Sequence, residues 1–501
     1  MKYKISKSTF MKGTQCLKAI FLHCVVSELR PVITIEQQAI MDKGTAVGLL
    51  ARQLYQGGID VTQGGKIRSF DLVEETKKLL NSENQIFYEP AFATPDGNYR
   101  FQADIFITSE KKNKLIEVKS SASIKLPEQI LDIAFQYYVL KQAGYDKDTE
   151  IYIAYLNKQY VLGDTLDINK LFVIENVTTR AKQAQVLIEK YLQQIETTLN
   201  NSMPPKISIG SHCSNPRPCD FMIHCWRNVS PKSIWHLGKL RKDKADELSE
   251  QGINEVSQIP QDMKLSENQW IEAQAVLNGQ PKINHKAIRD FLKYLSLNEP
   301  LIFMDFESFM PAIPIYKGTK PYQQICFQYS ILRQENIESD LIRKEFLAKP
   351  GSDPRRAFIE NLLMDTEEPG SIIVYNQAFE GPRLKELAIK FPEYAEEINE
   401  RISRLKDLME PFAKRHYYHP SFQGSHSIKR VLPALVPELS YKDLRINNGA
   451  LAMAQYENFH KLSYKEQIQT KRDLLEYCHM DVVAMVRIVE ALERIVSNSN
   501  Q

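Results

Sequence analysis

Two acids separated by one residue, Asp305 and Glu307, lie in an otherwise apolar run, LIFMDFESF, from Leu301 to Phe309. Side chains alternate faces along a strand, so both carboxylates point the same way while Phe306 points oppositely into a core. Two carboxylates on one face of a buried strand cost too much to leave unpaired, and a divalent cation is their natural partner. An independent set precedes them: Asp104 in YRFQADIFI, then Glu117 and Lys119 in LIEVKSS. The oxygens of Asp104 and Glu117 suit Mg²⁺ or Mn²⁺, which would activate water to attack a phosphodiester. Lys119, on the same strand face as Glu117, would hold that water or stabilise charge growing on the phosphate.

Sulfur supplies a third group. Cys213, Cys219 and Cys225 recur at equal intervals in HCSNPRPCDFMIHC, a loop stiffened by Pro216 and Pro218. Such a cluster argues for metal and against disulfides. Structural zinc sites favour more closely spaced ligands. Four thiolates around a [4Fe-4S] cluster match better, with Cys16 as the distant fourth ligand. Cys24, His212 or His224 could take that fourth place, and a zinc site of three Cys and one His is the alternative.

These groups need elements to hold them. Ser6 and Ser8 are caps for a helix carrying Cys16, and a second helix is expected from Glu36 to Leu54, closed by Gly57 and Gly58. IFYEPAF reads as a strand containing Glu89, PDGN as a turn, and YRFQADIFI and LIEVKSS as the strands that follow. A helix carrying Gln136 is expected from Pro127 to Ala143, ended by Gly144. Helical patterns fill the stretch from Lys232 to Asn298, with Gly252 closing one of them. They are faintly like helix-hairpin-helix modules and equally like a plain spacer, with Trp235 and Trp270 as packing anchors. Further on, SIIVY is a buried strand before a helix whose early residues include Phe379 and Glu380, with Pro382 in its first turn. The last helix carries Tyr477 and Asp481 four residues apart, hence on one face.

Asp104, then Glu117-x-Lys119, then a helix with Gln136, resemble the PD-(D/E)XK nucleases of the RecB type. The resemblance implies that Glu89, Asp104, Glu117, Lys119 and Gln136 line the site. It also implies that Cys16, Cys213, Cys219 and Cys225 hold an iron-sulfur cluster clamping the two ends of this domain. GTAVGLLARQLY, from Gly44, lacks the His that many relatives offer there. The later motifs resemble the DEDD exonucleases of the DnaQ-like, RNase H-like fold. The matching residues are Asp305 and Glu307, then Asn376, Phe379 and Glu380, then Tyr477 and Asp481. This resemblance implies four carboxylates holding two cations about 4 Å apart, with Tyr477 orienting the water. Glu476 stands where the rival subgroup has its His, and Glu380 replaces the family's usual Asp. Between these motifs His416, Tyr417, Tyr418, His419, Lys429 and Arg430 mix rings with positive charge, a composition suited to a single strand. Asp407 reads as an exposed helix residue or an accessory acid.

The expected architecture is α/β and multidomain: a PD-(D/E)XK restriction-endonuclease-like domain over 1–231, a helical linker over 232–298, and an RNase H-like exonuclease domain over 299–501. A net charge of +2 over 501 residues excludes a histone-like surface. The basic run from Pro231 to Lys244 is the local exception, and more simply a solvated helix face. No run of signal-peptide or membrane-span length is visible, so a cytoplasmic location without membrane contact is expected. Gly64-Gly65-Lys66 is followed by Ile67, which does not fit a phosphate loop. With no motor of its own, the chain would leave unwinding to a helicase partner, for which the sequence offers no support. The resemblances imply a metal-dependent nuclease with two sites acting on DNA, single-stranded or at free ends. Its C-terminal domain would be a 3′-5′ exonuclease, serving repair, end processing or defence. RNA stays open as a substrate. A nucleic-acid-binding adaptor with one or both sites inactive is the alternative, favoured by the absent His and by Glu380.

Overall fold

In the computed structural model, which describes residues 3–67, 71–81, 85–146, 148–336 and 338–498, the run LIFMDFESF is one strand, Leu301–Phe309, at the centre of a five-stranded sheet. On one side it pairs antiparallel with Ile325–Gln334, which pairs antiparallel with Ile342–Leu347. On the other it pairs parallel with Ser371–Val374, and that strand pairs parallel with Leu405–Asp407. The apolar central strands are buried, whereas IRKEFL carries the charges that keep an open sheet edge from pairing with another chain. Phe306 packs into the core edge-to-face against Phe358, with ring centres 5.0 Å apart. The opposite strand face meets the helix Tyr464–Ser497, whose start is fixed by a reciprocal cap between Ser463 and Glu466. The pairing register shifts between Glu307 and Ser308, a bulge of the kind that re-aims side chains beside a site.

The chain divides into two units, Met1–Asn228 with Pro311–Gln323, and Val229–Met310 with Gln324–Gln501. The stretch 232–298, which reads as a linker in the sequence, therefore clusters with the second unit. Its apolar faces explain this. Trp270 packs with Leu237, Val256, Ala273 and Val276, and Lys282–Ile283 pairs antiparallel with Tyr417–Tyr418. Glu272, on the helix Glu267–Asn278, forms a fully buried ion pair with Arg415. Gly252, at φ 83°, ends the helix Lys242–Glu250 as its sequence predicts.

The first unit holds a six-stranded sheet in the order Ile59–Asp60, Ile86–Tyr88, Ile105–Ile107, Lys114–Lys119, Glu150–Leu156, Phe172–Asn176. Lys114–Lys119 and Glu150–Leu156 run parallel, joined through the helix Glu128–Gln142. A smaller sheet orders Ile5–Ser6, Tyr99–Gln102 and Ala91–Ala93. Two runs that read as single strands are thus broken, one at Glu89, held at φ 57°, and one at Asp104. Residues Pro311–Gln323 complete this unit: Ala312 joins its core, and Gly318 N donates to Leu162 O at 2.7 Å. The protein is a mixed α/β multidomain chain, and among the described residues no helix is long and apolar enough to cross a membrane.

Candidate functional site

In the second unit Asp305 and Glu307 meet Asp481 of the long helix. One oxygen of each lies within 4.8 Å of the other two, the one such group of possible metal ligands among the described residues. Tyr477, one turn before Asp481, is 4% exposed. Tyr441 donates its hydroxyl to Asp481 Oδ1 at 2.6 Å. Lys429 Nζ donates to the Tyr477 hydroxyl at 3.2 Å and to the Asn447 carbonyl at 2.6 Å. The Cys478 thiol lies 3.7 Å from Asp305 Oδ2. Glu380, from the helix Gln377–Lys390, is 1% exposed, and its Oε2 has no hydrogen-bond partner among the described residues. It stands outside the close trio yet near enough to push Asp305 and Glu307 upward. Pro382 lies inside that helix as its sixth residue, beyond the first turn where the sequence pattern places it.

Four acids in a dry site cannot all ionise without a cation, and their proton affinities reflect this. Burial raises Glu307 to about 8, with Asp481 and Glu380 adding to the push and Lys429 opposing it. Burial raises Glu380 to about 8 as well. Asp481 reaches about 6, because burial is offset by the Tyr441 hydrogen bond and by Lys429. Asp305 lies well above the carboxylate range through burial first and its three acidic neighbours second.

Asp407 has a different job from the ones its sequence offered. It ends a strand and accepts from the backbone N–H groups of Asn376 (2.9 Å), Gln377 (3.1 Å) and Met409 (2.9 Å). That clamp holds Asn376 at φ 80°, immediately before the helix that carries Glu380. Tyr417 and Tyr418 are buried in strand pairing and packing, so they are not a surface for bases.

In the first unit Glu117, 2% exposed, gathers three donors. Oε1 accepts from Lys7 Nζ and Lys119 Nζ, each at 2.7 Å, and Oε2 accepts from Gln136 Nε2 at 2.7 Å. Lys119 also bonds Asp132. Asp104 Oδ2 accepts from Val118 N at 2.5 Å. Glu89 accepts from Gln102 Nε2 at 3.0 Å and pairs with Arg52 at 3.4 Å. Burial and the Glu117 charge raise Asp104 to about 8. Burial pushes Glu117 up too, but Lys119 and Lys7 outweigh it and hold Glu117 at about 2. Sequence reasoning missed Lys7, Arg52 and Asp132. Asp132 was readable, since it precedes Gln136 by four residues on one helix; Lys7 and Arg52 carried no local signal.

Cys16 lies at the junction of helices Lys7–Gln15 and Leu17–Val25, with extended backbone, and not inside a helix as its sequence suggests. It lines one pocket with Cys213, Cys219, Cys225 and His212, and all these thiols are free. His212 Nε2 lies 3.7 Å from Cys213 Sγ, and its hydrogen bonds to Cys16 and Cys213 push it up to about 10. Cys24 packs against the main core instead.

Residues 302–427 match a family model described as a domain of unknown function, DUF2779. The match takes in Asp305, Glu307 and Glu380 and stops short of Tyr477 and Asp481. The chain is similar to an uncharacterized Mycoplasma pneumoniae protein, 28% identical over 223 residues, covering 40% of this chain and 33% of that one. An uncharacterized Ureaplasma parvum protein is 29% identical over 247 residues, covering 44% of this chain and 35% of its own length. A Mycoplasma genitalium relative, also uncharacterized, is 27% identical over 224 residues, 41% of this chain and 33% of its own. The aligned part thus spans about a third of each of these relatives.

Proposed function

We propose that this chain is a metal-dependent nuclease with two sites, whose second unit removes nucleotides from the 3′ ends of DNA. The observation that carries this reading is the meeting of Asp305, Glu307 and Asp481 within 4.8 Å. Glu380 stands beside them with an unpartnered carboxylate oxygen, and Tyr477 lies one turn from Asp481. The sheet order, with antiparallel strands on one side of the central strand and parallel strands on the other, supports an RNase H-like fold. Mg²⁺ or Mn²⁺ held by these four acids would supply activation of water and neutralisation of the leaving oxygen. The chain's own groups bind and orient: the carboxylates hold the cations, the burial excludes bulk water, and the Tyr477 hydroxyl sets the angle of the nucleophile.

The first unit is proposed as a PD-(D/E)XK nuclease, supported by the contacts of Glu117 with both Lys119 and Gln136, beside Asp104 and Glu89. Two lysines already neutralise Glu117. That observation favours the adaptor reading for this unit, in which it binds nucleic acid without cutting. Cys16, Cys213, Cys219 and Cys225 fit a [4Fe-4S] cluster that would staple the ends of the unit. Four free thiols line one pocket, and no three of their sulfurs lie within 4.8 Å of one another. Zinc needs its sulfurs about 3.8 Å apart, from a Zn–S bond of about 2.3 Å.

End-labelled single- and double-stranded DNA and RNA, incubated with anaerobically purified protein and Mn²⁺, test this. Cleavage patterns abolished separately by Lys119→Ala and Asp305→Ala are expected. Loss with Asp305→Ala alone would make the first unit an adaptor, and no cleavage of any substrate would sink the nuclease reading.

A further inference from the structure

Lys429 belongs to neither acid motif, yet it is built into the acidic site of the second unit. It lies in the first turn of the helix Ile428–Leu435. Its ammonium is pinned by the Asn447 carbonyl at 2.6 Å and the Tyr477 hydroxyl at 3.2 Å. It also stands over two rings, 5.0 Å from the centre of Tyr477 and 5.3 Å from that of Tyr441. Asp481, Glu307 and Asp305 all attract it. Among the described residues, however, it donates to none of them, and its nearest acceptors are the phenol and the carbonyl.

A phenol oxygen that accepts from an ammonium must direct its own proton elsewhere. The other groups around the hydroxyl are Asp481, to which it also hydrogen-bonds, and Glu307, Asp305 and Tyr441. Tyr441 already spends its proton on Asp481. We infer that Lys429 is a positioning residue for Tyr477: it fixes the phenol so that its proton points among the carboxylates, where a nucleophile would meet it at one angle. The cation–ring contacts hold the lysine in that pose, which a flexible four-carbon side chain would not keep alone. The inference rests on the nuclease reading for its kinetic consequence and on geometry alone for its electrostatic one.

Cleavage of a 5′-labelled single-stranded oligonucleotide with Mn²⁺ is compared for the full-length wild type, Lys429→Met, Lys429→Arg, Tyr477→Phe and the Lys429→Met/Tyr477→Phe double variant. Lys429→Met is expected to lower kcat about tenfold to a hundredfold with little change in KM, as misorientation does. Lys429→Arg restores part of the rate. The double variant is no slower than Tyr477→Phe alone, because residues acting as one unit are not additive. Additive losses overturn the inference, and so does a loss confined to KM. Mn²⁺ titration of the same proteins reads the site without cleavage. Removing a facing cation in Lys429→Met tightens Mn²⁺ binding about threefold to tenfold; unchanged or weaker affinity overturns the placement. If the wild type binds Mn²⁺ and cleaves nothing, the nuclease reading falls while the titration still decides where Lys429 acts.

Discussion

The Tyr441 hydroxyl donates to Asp481 Oδ1 across 2.6 Å, although the two residues are 40 positions apart. That bond fixes one carboxylate of the acidic trio and lowers its proton affinity against the effect of burial. Tyr441→Phe should weaken Mn²⁺ binding about tenfold, the usual cost of losing a partner behind a metal ligand. It should cost about 1 kcal/mol in stability. Calorimetric titration and thermal unfolding measure both, and an unchanged Mn²⁺ affinity would refute the role.

Metal uptake in the second unit should release protons. Glu307 and Glu380 are raised to about 8 and Asp481 to about 6, all above their unfolded values. The metal-free folded state therefore binds more protons than the unfolded chain, and its stability falls as pH rises through this range. A cation reverses the balance, so Mn²⁺ affinity should climb steeply from about pH 6 to about pH 8. Binding enthalpies that shift with the ionisation heat of the buffer would register the released protons; a pH-independent affinity contradicts the shared-proton picture.

Lys7 should matter to the acid stability of the first unit. Glu117 is held at about 2 because Lys119 and Lys7 outweigh burial. A depressed carboxylate contributes stability that is complete above its ordinary value and lost as pH falls toward 2. Lys7→Met removes one of the two cations, so acid unfolding, followed by circular dichroism, should begin at higher pH. At neutral pH the loss should be about 1–3 kcal/mol, the worth of a hydrogen bond to a charged group.

The cysteine pocket makes a visible prediction. Anaerobically purified protein should be brown, with a broad absorption shoulder and iron in near-stoichiometric amount with sulfide. Cys219→Ser should bleach it and lower the melting temperature, because the link between Cys16 and the late cysteines is lost. Bound zinc in place of iron would overturn the cluster assignment.

Much of the local structure was legible in the residues. The apolar run into Asp305 and Glu307 marked a buried strand with both acids on one face, although the strand Leu301–Phe309 continues past them to Phe309, and the Tyr477–Asp481 interval marked one helix face. What misled was continuity. IFYEPAF and YRFQADIFI look like unbroken strands, but Glu89 and Asp104 occupy breaks in them, and apolar pattern alone does not reveal where a chain switches sheets. HYYHP looked like a stacking surface because its rings and charges are adjacent in sequence. In space Tyr417 and Tyr418 turn inward to pair with Lys282–Ile283.

By itself the sequence determined the elements whose period is local: strands with a repeat of two, helices with a repeat near 3.6, and the caps that bound them. It also determined which groups were available for chemistry. Only the tertiary structure decided which of them meet. Asp481 joins Asp305 and Glu307, Lys429 and Tyr441 join the site from a segment without a motif, Lys7 reaches Glu117, and residues 232–298 join the second unit. The physical reason is that burial and Coulomb attraction depend on distance in space, which chain closure sets and sequence separation does not record.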